Sequence, residues 1–321
     1  ILTGSATPNR KGVLHSGAGR IATLRMRPMS LFESGDSTGQ VSLESLLNGK
    51  LKPANTGEVS LKKLIRLIVR GGWPASLDLN DDQIALLPGE YLKAILDDDL
   101  NRVDPVKRDR AKIKMLMKSL ARNESTTVTN NTLKKDIKAS DQENIDVDTI
   151  ADYLGVLSRL FLLDNQAPFS GKIRSSVRIR QSEKRHFSDP SLACAILEAT
   201  PEMLLNDLET LGFMFEALCE RDLRIYAESF GAHLYHYQDY RQNEIDAVIQ
   251  LKDGRWGAFE IKLGANQIDA AAANLNKTAH DISEDMSGQP PSVMAVICGK
   301  SIAAYQRPDG VMVVPITALK P

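Results

Sequence analysis

Two acids and a lysine near the C-terminus have residue types and a spacing that could hold a metal ion. Asp246 lies in an alternating segment before the turn Lys252-Asp253-Gly254, and Glu260 and Lys262 lie two residues apart in the segment that follows it. Carboxylate oxygens are the ligands that Mg²⁺ prefers. A lysine beside them can orient a water molecule or stabilise negative charge in a transition state. These residues therefore indicate metal-assisted attack on a phosphodiester.

The alternation of apolar and polar residues predicts an antiparallel hairpin. The odd positions are apolar from Ile245 to Leu251 and again from Phe259 to Leu263, so the acids and the lysine share the opposite face. A three-residue loop with Gly254 in the left-handed conformation places Asp246 directly opposite Glu260. Because neighbouring carboxylates repel each other, we expect at least one carboxyl group of the site to have a raised pKa when no cation is bound.

The hairpin resembles the core of the PD-(D/E)xK nuclease superfamily, which carries an acid on one strand and E-x-K on the next. The resemblance implies that Asp246, Glu260 and Lys262 are catalytic, with the two acids as Mg²⁺ ligands and the lysine positioning the attacking water. It also implies a preceding helix with a further glutamate, and Glu216 fits as a third metal ligand. The proline of the superfamily's name is absent, since Ile245 precedes Asp246.

The same residues have a second interpretation. Charged residues on the solvent face of an alternating strand are common, and E-x-K alone occurs in many surface strands. A catalytically inactive module of the same fold, which binds DNA or a protein partner while the acids only stabilise the domain, therefore stays open beside the nuclease.

Composition sets limits on the class of protein. The 321 residues suffice for two or three domains, and the 42% hydrophobic and 25% charged residues are ordinary for a globular protein. Lys and Arg number 40 against 41 Asp and Glu, a net charge of −1, which excludes a uniformly basic nucleic-acid binder. Any basic contact surface must be local.

Cysteine usage and hydropathy bear on the compartment. Cys194, Cys219 and Cys298 are far apart in apolar surroundings, which predicts buried thiols in a reducing environment. The five histidines show no zinc-binding pattern. No apolar run approaches the ~20 residues of a membrane span, and no signal peptide is recognisable. We therefore expect a cytoplasmic protein with no membrane partner.

The chain opens like the end of a buried strand, Ile1-Leu2-Thr3-Gly4-Ser5-Ala6, so we expect a truncated domain whose first 45 or so residues pack poorly or borrow contacts from elsewhere. Further motifs extend over nearly the whole chain: Arg70-Gly71-Gly72-Trp73-Pro74, Tyr91-Leu92, Arg102-Val103-Asp104, Lys118 to Asn123 and His186 to Leu192. With the hairpin, these motifs resemble a prokaryotic AAA+-type ATPase family whose C-terminal part is called domain of unknown function 4143.

That resemblance implies two remnants of a nucleotide site. Ser5 resembles the strand end that senses the γ-phosphate, and Arg20 resembles a trans-acting arginine. The phosphate-binding loop G-x-x-x-x-G-K-[ST] is absent from the chain. We therefore expect ATP binding and hydrolysis only in an intact parent protein that carries this loop.

Helical periodicity dominates the middle of the chain, with a short helix capped at Ser42 and longer ones over 61–69, 81–98, 113–120, 126–137 and 150–161. Three helices followed by a strand pair are the order of a winged helix, with the wing expected at 161–169 and 177–180. The basic run after Ser170 suits phosphate contacts on DNA, or is a solvated rim. It comprises Lys172, Arg174, Arg178, Arg180, Lys184 and Arg185.

Together these features predict an α/β protein in three parts. Residues 1–45 are a remnant of an AAA+ nucleotide domain, 46–180 a helical and winged-helix-like region, and 181–321 a restriction-endonuclease-like α/β domain. The predicted function is the C-terminal portion of an AAA+-type ATP-binding protein whose nuclease-like domain acts on or binds nucleic acid with Mg²⁺. A second copy of the chain and another protein are the remaining candidate partners.

Overall fold

The computed structural model describes Gly4 and residues 24–100, 108–141, 145–170, 182–241, 243–285 and 289–321. Its helices are α1 (Leu43–Leu47), α2 (Leu61–Arg70), α3 (Asp81–Ala94), α4 (Arg110–Arg122), α5 (Asn130–Asp141), α6 (Val147–Arg159), α7 (Pro190–Ile196), α8 (Pro201–Asn206), α9 (Leu208–Ser229) and α10 (Ile268–Asp285). Its strands are β1 (Val41–Ser42), β2 (Ala54–Asn55), β3 (His233–Gln238), β4 (Glu244–Gln250), β5 (Trp256–Lys262), β6 (Val293–Cys298), β7 (Ala303–Gln306), β8 (Met312–Pro315) and β9 (Leu319–Lys320).

A mixed sheet of seven strands organises the C-terminal half, in the order β2-β7-β8-β6-β5-β4-β3. The pairs β5–β6 and β6–β8 are parallel, whereas β3–β4 and β4–β5 are antiparallel. The chain returns from β5 to the parallel strand β6 through α10, as a parallel connection requires a crossover. The chain is therefore a mixed α/β protein, as predicted.

Helices cover both faces of this sheet. Ala247 and Phe259 lie on the face that packs into the larger apolar core with α9, whereas Val248 and Ala258 lie in a second core with α10. Alternate residues of each strand point to opposite faces. Burial on both sides explains why β4 and β5 are almost entirely apolar apart from the residues of the predicted site.

The predicted helices of the middle region form, with shifts at their ends. Ser42 caps α1 by accepting a hydrogen bond from the Ser45 N–H, 3.2 Å, as predicted. The helix expected over 126–137 begins only at Asn130, because Thr126 forms an antiparallel bridge with Arg185. The helix expected to reach residue 161 ends at Arg159, and Phe161 has a positive φ of 57°.

The segment 161–169, predicted as one strand of a wing, pairs with a different segment from the one expected. Leu163 bridges Phe187 and Gln166 bridges Lys184, both antiparallel. The segment expected to pair here, 177–180, lies outside the described residues, as do Lys172 and Arg174 of the basic run. The pairing with 184–187 brings this segment against the main sheet, where Pro168 bridges His236.

The segment before α1 is held by the C-terminal half of the chain. Arg27 forms ion pairs with Asp164 and with Glu228 on α9. Farther on, β1 pairs in parallel with β9, and Leu31 is fully buried. The described residues of this segment therefore pack against distant parts of the chain. The proposed division of the chain at residues 45 and 180 stays a prediction.

A buried ion-pair network fixes α9 to the loop after α2. Arg221 of α9 binds Asp189 and Asp222, and Asp189 also accepts the Gly72 N–H at 2.8 Å. Gly71 has a φ of +67°, and a Cβ atom there would lie 2.4 Å from Asp189 Oδ1. The glycine is needed for both the backbone conformation and the close approach.

The three cysteines are buried, as predicted. Within the described ranges, none of the helices combines the length and the apolar character needed to cross a lipid bilayer.

Candidate metal-binding active site

The hairpin of β4 and β5 has the predicted register. Gly254 has a φ of +90°, and the Leu251 N–H donates to the Arg255 carbonyl at 2.8 Å, which closes a three-residue loop. Ala247 pairs with Phe259, so the next residues outward on the two strands are Asp246 and Glu260. The register predicted from the loop length is confirmed for this hairpin, whereas Ile245, expected on the face of Ala247, packs in the second core with Val248.

The polar face of the hairpin is buried rather than solvated. Asp246 is 7% exposed and Glu260 4% exposed. The cause is α10, which covers this face: Asn274 donates to Glu260 Oε1 and to the Glu244 carbonyl oxygen, both at 2.9 Å. A solvent-exposed strand face, the simplest alternative for these acids, does not describe their surroundings.

Lys262 joins the two acids. Its ammonium nitrogen lies 3.0 Å from Asp246 Oδ2 and 2.6 Å from Glu260 Oε2. The backbone N–H of Ile261 also donates to Asp246 Oδ2, at 2.8 Å. Asp246, Glu260 and Lys262, the three residues predicted to be catalytic, therefore lie in direct contact.

A second lysine, which sequence reasoning had placed in a basic surface run, completes the cluster. Lys184 is buried, and its ammonium nitrogen lies 2.5 Å from Glu216 Oε1, 3.0 Å from Glu244 Oε1 and 3.7 Å from Asp246 Oδ1. Glu216 on α9 thus reaches the hairpin through Lys184. The interpretation of Lys184 as a phosphate-binding surface residue is wrong, because its ammonium is enclosed by carboxylates.

Gln166 is the other residue that the sequence did not single out. It is fully buried, and its amide nitrogen donates to the carbonyl oxygens of Tyr235, at 2.8 Å, and Asp246, at 3.1 Å. Its Oε1 has no hydrogen-bond partner among the described residues. Nothing in the local sequence distinguishes Gln166 or Lys184, since both depend on the bridge between two segments that look like loops.

Burial and like charge separate the pKa values of the three acids. Burial, together with the Asp246 carboxylate, raises the pKa of Glu260 to about 8, and burial raises that of Glu216 to about 7 against the opposing effect of Lys184. Burial alone would also raise the pKa of Asp246. The positive charges of Lys262 and Lys184 outweigh this effect and hold the pKa of Asp246 below its usual range. Two of the three carboxyl groups therefore have raised pKa values, as expected for buried neighbouring carboxyl groups.

Those raised values predict a pH-dependent stability in metal-free solution. Because the folded-state pKa values of Glu216 and Glu260 lie above the ordinary 4.5, the folded chain binds more protons than the unfolded chain between about pH 5 and 8. The contribution of these groups to the free energy of unfolding therefore falls as the pH rises through that range. Glu260→Gln should reduce this fall, measured by urea unfolding in EDTA at pH 6 and 8.5. Equal slopes for the variant and the wild type would contradict the assignment.

No group of three or more His, Cys, Asp or Glu side chains is arranged to hold a metal ion in the part of the chain that the structure describes. The reason lies in the lysines, whose ammonium groups occupy the spaces between the carboxylates. Ser5 and Arg20, predicted as remnants of a nucleotide site, lie outside the described residues.

An open cleft lies beside the cluster. Its volume is about 530 Å³, and its walls include Glu216 and Phe213 from α9, Lys262 at the end of β5, and Lys300. Gly212 forms part of the same wall, and a Cβ atom added there would meet nothing within 4 Å. The cleft therefore gives a route from solvent to the Lys262 side of the cluster.

Comparison with known families covers most of the chain in two parts. Residues 211–319, which contain the whole hairpin and α10, match the family described as Domain of unknown function (DUF4143). Residues 61–203 match a second family, described as Domain of unknown function (DUF8612). Neither a curated protein nor a solved structure matches the chain. The fold and the comparisons thus define a mixed α/β protein whose C-terminal region resembles DUF4143.

Proposed function

We propose that the C-terminal region is a nuclease-like module that uses a divalent cation, Mg²⁺, to act on nucleic acid. We further propose, from the motifs of the sequence, that the chain is the C-terminal portion of an AAA+-type ATP-binding protein. ATP binding then belongs to an intact parent that carries the phosphate-binding loop, and Ser5 and Arg20 are remnants of its nucleotide site.

One observation carries the nuclease proposal: Lys262 bridges two buried carboxylates, Asp246 and Glu260, at the wall of an open cleft. Perturbed carboxyl groups that meet a specific charge partner in a cleft are candidates for a functional site. A purely structural ion pair needs no such access, and burying charges is often no more stabilising than apolar packing.

The chemistry of the side chains fits Mg²⁺. The candidate donors are carboxylate oxygens, the ligand type that hard cations prefer. Gln166 Oε1, buried and unpartnered among the described residues, adds an uncommitted oxygen next to the Asp246 backbone. When bound, Mg²⁺ supplies Lewis-acid polarisation of the phosphodiester and lowers the pKa of a bound water.

The chain's own residues have separable tasks in this proposal. Asp246 and Glu260 would hold the cation, and Asn274 fixes the orientation of Glu260 through its hydrogen bond. Lys262, whose side chain is 27% exposed, orients the attacking water and stabilises negative charge on the phosphate. Phe213, 37% exposed on the cleft wall, offers a surface on which a base can stack.

The size of the cleft favours a single strand as the substrate. Pockets of about 300–1,000 Å³ hold small-molecule ligands, which are of the size of a nucleotide, and this cleft falls in that range. A duplex, whose major groove alone is about 12 Å wide, would have to present a frayed or unpaired end. Gly212 and Lys262 both line the cleft that the nucleic acid would enter.

Blocking the cleft tests the proposal. Gly212→Trp should abolish Mg²⁺-dependent cleavage of fluorescent single-stranded DNA and RNA oligonucleotides, because the indole would fill the wall where a Cβ meets open space. The rise in melting temperature caused by Mg²⁺ should remain, since Gly212 is not among the proposed ligands. Cleavage is measured on denaturing gels and melting by circular dichroism.

Gly155→Trp is the matched control. Gly155 also lies in a helix, α6, and a Cβ there also meets nothing within 4 Å, but it does not line the cleft. This variant should cleave at the wild-type rate. Wild-type activity in Gly212→Trp would show that substrate does not use the cleft, and absence of cleavage by the wild type with Mg²⁺ or Mn²⁺ would argue against a nuclease.

The inactive binding module is the second candidate, and one observation favours it. Every acid of the cluster already contacts an ammonium group, so each has a positively charged partner without a metal ion. In that case Mg²⁺ would leave the melting temperature unchanged, and the cleft would bind nucleic acid or a protein partner without cleaving it.

A further inference from the structure

The helix α9 lies between two cavities. Its face toward the open cleft carries Glu209, Gly212, Phe213 and Glu216. A second set of its residues, Thr210, Phe213 and Met214, lines another cavity of about 260 Å³. Because an α-helix turns once in about 3.6 residues, the two sets lie on adjacent faces of α9. Phe213 belongs to both sets and therefore lies between the cleft and the second cavity.

The other wall of the second cavity is formed by the end of α4 and the residues after it. Arg122 is the last residue of α4 and lines this cavity. Ser125, three residues later, donates its hydroxyl to the Phe213 carbonyl oxygen at 3.0 Å. The segment that carries Arg122 is therefore attached to α9 at the residue that separates the two cavities.

Arg122 is the exposed charged residue of the second cavity. It forms no ion pair with any of the residues that the structure describes. The acid of this cavity, Glu124, is 2% exposed, and the Phe187 N–H donates to both of its carboxyl oxygens at 3.2 Å. Its Oε1 also lies 3.1 Å from His186 Nδ1. Glu124 thus has buried partners, whereas Arg122 can receive an anion, and a guanidinium matches the geometry of a phosphate.

The positions of Phe213 and Arg122 suit two successive parts of one strand. Phe213 is 37% exposed, and an exposed aromatic ring is a surface on which a base stacks. Each internal nucleotide of a strand has a phosphate on both sides of its base. One of these phosphates can lie in the cleft, where Lys300 and Lys262 are opposed by the exposed acid Glu209. The other phosphate then lies toward the second cavity, where Arg122 is the exposed charge.

We propose that a single strand of nucleic acid crosses α9 over Phe213, and that Arg122 in the second cavity binds the phosphate on the far side of the stacked base. This inference rests on the proposed function, because it extends the path of the same substrate beyond the cleft. Arg122 contacts the substrate away from the cluster of acids and sets affinity. The protein then recognises a continuous strand rather than a free nucleotide.

Binding of a labelled single strand by the full chain tests this path. A fluorescein-labelled deoxythymidine oligonucleotide of about 12 nucleotides is titrated with the protein in EDTA, and fluorescence anisotropy measures the complex. Arg122→Gln should weaken binding about 5-fold at about 0.1 M salt, which is the loss expected for one phosphate contact. It should also make the slope of log K against log salt concentration shallower by about 0.7.

Three further variants separate this contact from general effects of charge. Lys138→Gln is the matched control, because Lys138 is also an exposed cation in the last turn of a helix, α5, but lines neither cavity. It should keep the wild-type affinity and slope. Arg122→Lys should keep the slope, because the positive charge remains. Phe213→Leu should weaken binding about 5-fold or more with an unchanged slope, because stacking releases no counterions.

The outcomes separate this inference from the proposed function. If Arg122→Gln binds with the wild-type slope, or loses no more affinity than Lys138→Gln, the inference is overturned and the cleft remains the nucleic-acid site. Wild-type affinity in Phe213→Leu would also overturn it, because the strand would not cross that ring. If the wild type binds neither single-stranded DNA nor single-stranded RNA, the proposed function is overturned together with the inference.

Discussion

Replacing Asp246 with asparagine is expected to lower the free energy of unfolding by about 3–5 kcal/mol and to abolish stabilisation by Mg²⁺. The variant keeps the shape of the side chain but leaves Lys184 and Lys262 without their shared counter-charge. Wild type at a Mg²⁺ concentration about 100-fold above its dissociation constant should gain roughly 2.7 kcal/mol, and the variant should gain none. Urea unfolding with Mg²⁺ or EDTA measures both effects.

Two control variants separate loss of metal binding from loss of cleavage and from the effect of removing a surface charge. Lys262→Ala should lose cleavage but keep the Mg²⁺-dependent gain, because the lysine acts on water and phosphate rather than on the cation. Asp253→Asn, on the exposed hairpin loop, should change little, because its contact with Arg255 is solvated. If divalent cations do not change the free energy of unfolding of the wild type, and Asp246→Asn unfolds like the wild type, the cluster neither binds a metal ion nor stabilises the fold.

Asp189→Ala is the second substitution with a large expected effect, about 3–5 kcal/mol of lost stability. Asp189 is fully buried and accepts hydrogen bonds from the Gly72 N–H, from the Ser191 N–H at 2.9 Å and from Arg221 at 2.8 Å. Burial disfavours the charged form of Arg221. The neighbouring Asp222 and Asp189 carboxylates outweigh this effect and raise the pKa of Arg221. Removal of Asp189 leaves Arg221 with one of its two buried partners.

This measurement needs a surface aspartate for comparison. Asp82, exposed in the first turn of α3, should change stability by no more than about 0.5 kcal/mol when replaced by alanine. A loss below about 1 kcal/mol for Asp189→Ala would mean that the surrounding donors find other acceptors.

The same network explains two motifs that the sequence offered only as a family resemblance. Gly71 and Gly72 approach Asp189, and the Trp73 indole donates to Ser191 Oγ at 2.9 Å. The motif around Trp73 and the motif around Asp189 therefore contact each other. They anchor α9, the helix that carries Glu216, so their role is structural.

Local sequence determined the hairpin and most of the helices. The loop Lys252-Asp253-Gly254, with its single glycine, fixed the register that places Asp246 next to Glu260. Such features are readable because turn geometry and residue alternation act over a few neighbouring residues. The same holds for the cap at Ser42, whose hydroxyl acts on a backbone N–H three residues away.

Only the tertiary structure decided what surrounds those residues. Residue alternation left a solvated face open as an alternative for the acids of the hairpin, but α10, which follows β5 in the chain, covers them, and Asn274 donates a hydrogen bond to Glu260. Lys184 looked like one member of a basic run, but its bridge to Gln166 turns it into the cluster of acids. Contacts between distant segments depend on how helices and strands pack, and residue alternation within one strand carries no information about its neighbours. The sequence therefore determined which groups could do chemistry, while packing determined their burial, their pKa values and the second lysine between them.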